Sequence, residues 1–161
     1  MERRKVITTE TLKKTIDSLR KKGRKIVFTN GCFDILHKGH ILLLKKAKTF
    51  GDILIVGLNS DLSVKKIKGR SRPVNPACDR AEVLGALECV DYITIFDEPT
   101  PRNVIKKVMP DILVKGGDWK KEEIVGKEIV ESRGGKVYTI PLVKGYSTSR
   151  IIARINKDRH D

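Results

Sequence analysis

The stretch Lys25-Ile26-Val27-Phe28-Thr29-Asn30-Gly31-Cys32-Phe33-Asp34-Ile35-Leu36-His37-Lys38-Gly39-His40 decides the fold. A short β-rich run ends at a glycine, and a polar turn carrying two of the three histidines follows it. Over residues 39–50, Ile41, Leu42, Leu44 and Ala47 recur at helical spacing. Gly51-Asp52 then turns the chain into a second apolar run, 53–58. Strand, loop, helix and strand in that order form a βαβ unit.

The alternation continues along the chain. Candidate strands at 92–96, 111–115 and 136–140 are interleaved with helix-like segments at 79–88, near Pro101, and at 149–156. Near-continuous apolar strands imply a parallel sheet covered on both faces. The expected architecture is α/β: a Rossmann-like, doubly wound, five-stranded parallel sheet with helices on both faces. Ahead of it, Leu12, Ile16 and Leu19 are spaced as a helix that stops near Gly23. Residues 1–24 therefore read as a basic helical segment and 25–161 as the domain proper. In such folds ligands bind beyond the carboxyl ends of the strands, where strand order reverses. Function belongs in the segments after each strand: 30–40, 59–61, 116–119 and 141–150.

Composition narrows the class. A chain of 161 residues suits one domain, and no apolar run approaches the ~20 residues that span a bilayer. The basic N-terminus has no hydrophobic stretch behind it, which speaks against a secretory signal. Three cysteines without metal-like spacing suggest a reducing, cytoplasmic setting, with Cys78 and Cys89 expected as buried thiols. The net charge is +14, and residues 1–25, with ten Lys/Arg against three acids, supply half of it. Such a surface attracts nucleic acid, anionic membranes or phosphorylated small molecules. Aromatic residues make up only 5% of the chain and do not interleave with the basic clusters, which weakens a single-strand-binding reading.

His37-Lys38-Gly39-His40 falls where a helix should begin, so free N–H groups and a positive dipole end would meet a phosphate there. Two imidazoles at that point suit stabilisation of charge on phosphorus under attack. Three alternatives stand beside this. The histidines could bind zinc, but the only other histidine is His160 at the tail, and no metal site is expected. One of them could be merely structural. Cys32, near a helix start, could be an acidified nucleophile. No G-x-G-x-x-G follows the first strand, and no G-x-x-x-x-G-K-[ST] occurs anywhere, so hydride-transfer and P-loop readings lose their main support.

Phe33-Asp34-Ile35-Leu36-His37-Lys38-Gly39-His40 resembles the F-D-x-x-H-x-G-H signature of the cytidylyltransferase-like nucleotidyltransferases. Gly145-Tyr146-Ser147-Thr148-Ser149-Arg150 matches that family's second motif, a Ser/Thr-rich helix start followed by a basic residue. Segments 59–61, 68–76, 83–91 and 110–118 further resemble the heptose 1-phosphate adenylyltransferase branch, which occurs alone or fused behind a sugar kinase. The resemblance runs from about Lys25 to Ile155 and, with no room for a kinase, implies the stand-alone form.

The resemblance implies transfer of AMP from ATP to the phosphate of D-glycero-β-D-manno-heptose 1-phosphate, with loss of pyrophosphate. His37 and His40 would contact the triphosphate and stabilise the α-phosphorus. Cys32 and Phe33 would line the nucleotide pocket through their backbone, since relatives carry threonine or valine at the cysteine. Gly39 would leave room for the nucleotide, Asp118 would lie at ribose or base, and Ser147 and Thr148 at the departing phosphates. Lys68 and Arg72, on a flexible loop, are candidate phosphate clamps, with Lys68 counted among the catalytic groups. Asp34, Asn59 and Lys115 are candidates for the sugar phosphate side. Arg150 is read either as a phosphate contact or as part of a solvated helix face. Trp119 is expected to pack against a neighbouring helix, with stacking on a ligand as the alternative, and Asp61 to cap the next helix. Mg²⁺ would arrive with ATP. The implied partners are small molecules, with no membrane and nucleic acid disfavoured; such enzymes also form homo-oligomers. CTP-using relatives, or ones taking glycerol 3-phosphate or flavin mononucleotide, are close alternatives, and a basic nucleic-acid-binding module is the alternative of another class.

Overall fold

A computed structural model describes residues 5–117 and 119–157. Five apolar runs become strands: β1 (Ile26–Gly31), β2 (Ile53–Asn59), β3 (Tyr92–Phe96), β4 (Ile112–Gly116) and β5 (Lys136–Ile140). All pair in parallel in the order β3-β2-β1-β4-β5. Strand order therefore reverses between β1 and β4, the crevice at which a doubly wound sheet places ligands.

Strand residues alternate between two cores because successive side chains point to opposite faces. Ile26, Phe28, Ile55, Leu113 and Val137 face one way, beneath Leu12 and Ile16 of α1 (Thr9–Lys21). Val104, Ile105 and Val108 of α5 (Arg102–Val108) and Val130 of α6 (Lys127–Glu131) complete that layer. Val27, Leu54, Val56, Ile112 and Val114 face the other way, under Leu44 and Ala47 of α2 (Lys38–Lys48) and Ala81 and Leu84 of α4 (Ala77–Gly85). Leu12 and Ile16 are almost fully buried, and each such side chain contributes roughly 1.5–3 kcal/mol of burial free energy. The five strands and both covered faces match the expected architecture.

The outer edge of β3 is partly closed. Val6 forms a parallel bridge to Ile93, with Ile7 N–H donating to Ile93 O (3.0 Å) and Ile93 N–H to Lys5 O (2.8 Å). No helix among the described residues is long and apolar enough to cross a membrane.

Three expectations need correction. Residues 61–68 form a helix, α3 (Asp61–Lys68), capped by the Ser60 hydroxyl, which accepts from Ser63 N–H; Asp61 is its first residue, not its cap. Lys68 thus ends a helix and is not on a loop. Cys78 is exposed, because the inward face of α4 is taken by Arg80, Ala81 and Leu84. Cys89 is half-buried.

Candidate active site

After β1 the chain leaves the sheet through Cys32, Phe33 and Asp34. Phe33 sits at φ 45°, a left-handed conformation that costs a bulky residue about 1–3 kcal/mol. The surroundings enforce it. The Asp34 side chain is fully buried and accepts from Val74 N–H, from Asn75 N–H (2.9 Å) and from Arg72 Nε (2.5 Å). The Asp34 carbonyl accepts from Asn75 Nδ2 (2.8 Å). Burial pushes the Asp34 carboxyl up, but these donors outweigh it and hold it below its usual range. Segment 72–75 is consequently held against the site, where a flexible loop was expected, and the Asp34 oxygens are occupied by it.

His37 is the extended N-cap residue of α2, and its side chain makes no capping hydrogen bond, so that helix start is uncapped among the described residues. His40 N–H and Ile41 N–H both donate to His37 O. The two imidazoles stack with centroids 3.8 Å apart and planes at 21°. Phe33 meets His40 edge-on at 5.2 Å, and Tyr146 lies beyond His37 at 6.4 Å. A Cβ at Gly39 would come within 3.0 Å of His37 Cε1 and 3.4 Å of Tyr146 Cβ. The glycine thus makes room for the His37 ring and Tyr146.

Burial, reinforced by the neighbouring His37, depresses the His40 pKa from 6.5 to about 4, and burial lowers that of His37 as well. Both rings are neutral at pH 7. Their Nδ1 atoms are buried without a hydrogen-bond partner, which leaves the Nε2 edges as the working side of each ring. A neutral pair of N–H donors at an uncapped helix start suits phosphate oxygens.

The second motif arrives from the far end of the chain. The Ser147 hydroxyl accepts from Arg150 N–H and so caps α7 (Thr148–Lys157), while Thr148 Oγ1 donates to Ile35 O (3.4 Å). The two sequence motifs are therefore joined by a hydrogen bond across 113 residues.

A cavity of about 610 Å³ opens over the crevice. Every residue expected from the sequence to be catalytic or to bind nucleotide or acceptor lines it except two: Arg150, which is exposed and outside it, and Asp118, which lies outside the described residues. Lys68, Arg72 and Lys115 bring positive charge to it. Burial depresses the Lys115 pKa, with Cys32 and Lys68 among its neighbours. The Asn59 amide is tied to Ser63 Oγ (2.9 Å). Burial raises the Cys32 thiol despite nearby Lys68, Arg80 and Arg72, so the thiol stays protonated and is a poor nucleophile. Among the described residues no group of three His, Cys, Asp or Glu converges as metal ligands.

Trp119 departs from its sequence reading, and Arg80 was missed by it. Trp119 is 47% exposed and does not pack into a helix as expected; its indole N–H donates to Gly116 O, and Lys115 Nζ lies 5.6 Å from its ring. The buried Arg80 holds carbonyls from three segments around the cavity. Its position was available from the sequence, since Arg80 shares a helical face with Ala77, Ala81 and Leu84.

The chain is similar to known proteins in both sequence and fold. A family model described as cytidylyltransferase-like matches residues 28–154. The bifunctional protein HldE of Citrifermentans bemidjiense is 57% identical over 134 residues, 83% of this chain and 28% of that protein. HldE of Syntrophotalea carbinolica is 50% identical over 98% of this chain and 32% of its own length. HldE of Citrobacter koseri is 53% identical over 95% and 32%. The chain spans about a third of the length of these relatives. Among solved structures, a lipopolysaccharide core biosynthesis protein from Thermoplasma volcanium superposes with a TM-score of 0.62 at 31% identity, covering 78% of this chain and all of that one. Pantoate-beta-alanine ligase from Francisella tularensis, at 19% identity and a TM-score of 0.62 over 84% of this chain and 66% of that one, shares the fold.

Proposed function

This chain belongs to the cytidylyltransferase-like family of nucleotidyltransferases, and from that premise we propose that it transfers AMP from ATP to D-glycero-β-D-manno-heptose 1-phosphate, giving ADP-heptose and pyrophosphate. The observation that carries the reading is the stacked neutral histidine pair at the uncapped start of α2, facing a cavity that also holds Lys68, Arg72 and Lys115.

An oxygen of the sugar phosphate attacks the α-phosphorus of the triphosphate. A new O–P bond forms, and the bond from that phosphorus to the β-bridging oxygen breaks. The nucleophile is already ionised at neutral pH, so no side chain has to remove a proton. The chain's contribution is positioning and charge neutralisation. His37 and His40 donate through Nε2–H to the phosphate oxygens as negative charge builds. They act as donors and not as bases. The N–H groups at the start of α2, with Ser147 and Thr148, receive the departing phosphates. Lys68, Arg72 and Lys115 draw in the acceptor phosphate.

The donors around the pair are N–H groups and cations, and the nearby Asp34 carboxylate is occupied by 72–75. These residues fit a triphosphate that brings its own Mg²⁺, held by phosphate oxygens and water in place of a protein cage. When bound, that ion supplies neutralising charge on the phosphates.

The heptose acceptor is supported by the resemblance of segments 68–76, 83–91 and 110–118 to the heptose branch, and by the identity to the HldE proteins. The test is pyrophosphate release with each nucleoside triphosphate paired with heptose 1-phosphate, glycerol 3-phosphate or flavin mononucleotide. Turnover with ATP and the heptose phosphate is expected. Turnover with CTP and glycerol 3-phosphate alone would overturn the acceptor and nucleotide while leaving the family untouched.

A further inference from the structure

Arg80 sits on α4 with its side chain 1% exposed. Its Nε donates to Asn75 O (2.9 Å), and its Nη1 to Cys32 O (2.6 Å) and Asn59 O (2.9 Å). Nη2 meets the Asp61 carboxylate at 2.8 Å. An arginine buried only for charge pairing would need the last of these alone. Three of its four bonds go instead to backbone carbonyls: beyond β1, at the end of β2, and in the 72–75 segment. Those are three of the segments from which the cavity is built.

We propose that Arg80 is a positioning residue for the histidine pair: by gripping the Cys32 carbonyl it holds Phe33 in its left-handed turn and so keeps the Phe33 ring against His40. This rests on the nucleotidyl-transfer reading of that pair. The chain of contacts is continuous. The Cys32 carbonyl belongs to the peptide bond entering Phe33, and Arg80 fixes it from one side. Asp34, the residue leaving Phe33, is fixed from the other side by Val74 N–H and Asn75 N–H. Arg80 also fastens Asn75 through its carbonyl, so the two clamps share a partner. Between them stands a left-handed conformation that is uncommon for phenylalanine. Its product is a ring 4% exposed, edge-on to His40 with planes at 63°. Released, Phe33 would relax toward ordinary backbone angles, and the wall that orients and dehydrates His40 would go with it.

Lysine offers one nitrogen where arginine offers a planar fork, and it cannot reach four acceptors in different directions. Arg80→Lys and Arg80→Met are therefore graded perturbations. The experiment follows the His40 ring by NMR through a pH titration of the ligand-free protein, and measures kcat and KM for triphosphate and acceptor in parallel. In Arg80→Met the His40 midpoint should climb from about 4 toward 6.5. Turnover should fall about 10- to 100-fold, with a smaller change in KM for the triphosphate. Arg80→Lys should lie between it and the wild type in both readouts. A variant with a lowered urea midpoint but unchanged His40 titration and kcat would show Arg80 to be merely structural and overturn the proposal. If Arg80→Met does not fold, Arg80→Lys decides by the same criteria. If the wild type turns over none of the substrate pairs, the functional reading fails, and the His40 titration still judges Arg80 by itself.

Discussion

Replacing Asp34 by asparagine, a change of one atom, should be among the most damaging single substitutions in the domain. The Asp34 side chain has no solvent exposure. One oxygen accepts from Val74 N–H and Asn75 N–H, the other from Val74 N–H and Arg72 Nε. Asparagine supplies one acceptor oxygen and an NH₂ group. In either orientation the NH₂ is forced against a donor, which leaves at least one buried N–H unsatisfied at about 1–3 kcal/mol. Removing one member of a buried ion pair costs about 3–5 kcal/mol, but Arg72 is 13% exposed and can recover some hydration. The two losses overlap, so the net is about 3–4 kcal/mol. For a domain losing about 2 kcal/mol of stability per molar urea, the unfolding midpoint should drop by roughly 1.5–2 M. Far-UV circular dichroism in urea at pH 7 measures this. Acid provides a second arm. The folded Asp34 carboxyl titrates below its ordinary 3.8, so its contribution is complete above that pH and disappears as pH falls through the folded value. Wild type and Asp34→Asn should therefore converge in acid. A midpoint within 0.3 M of wild type at pH 7 (roughly 0.6 kcal/mol) would refute the reasoning.

Other perturbations test neighbouring parts of the site. His40 stays neutral in the fold while the unfolded chain binds a proton near 6.5, so stability should decline as pH falls from 6.5 toward about 4. The full shift corresponds to about 3 kcal/mol, and roughly half of that after allowing for partial solvent screening; His40→Gln should flatten that part of the pH profile. Gly39→Ala places a methyl 3.0 Å from His37 Cε1 and should tilt the stack, lowering kcat about tenfold or more while the melting temperature barely moves. Steady-state kinetics beside a thermal melt would show it, and full activity would mean the stacking is dispensable. Lys115→Met removes a desolvated ammonium, so stability should hold or rise. Its KM for the acceptor should rise about tenfold while that for the triphosphate stays put.

What the sequence revealed and what it hid follow a physical division. Three strands were legible because a buried parallel strand is a continuous apolar run, as at 26–28, 54–56 and 112–114, and 92–96 and 136–140 because they are short runs rich in β-branched and aromatic residues. Helix α3 was legible only as a start near Asp61, and not in its extent to Lys68, because its eight residues, DLSVKKIK, run into the basic cluster that follows. Helix α6 has only five residues and starts from a left-handed Gly126, too short for any periodicity to register. The histidines, Gly39 and Ser147 were found because a local motif carries them. The bonds that hold the motif in shape escaped, since Arg80 reaches Cys32 across 48 residues and Arg72 reaches Asp34 across 38. Local pattern displays the groups proposed to meet the substrate. It does not display what aims them.

The strap of residues 5–7 along β3 bears on assembly. An open sheet with two bare edges has a valence of two and can extend indefinitely, copy upon copy. Here the outward N–H and C=O of Ile93 are already spent, and Thr9 lies against Thr94 (hydroxyl oxygens 3.4 Å apart). What remains of that edge, around Ile95, is too short for a ladder. At the other end, no strand among the described residues pairs with the outer side of β5. The sheet is left with a valence of one, and edge-to-edge pairing of two copies through β5 would terminate at a closed twofold pair. A few residues ahead of the first helix thus close one of the two edges along which the sheet itself could extend.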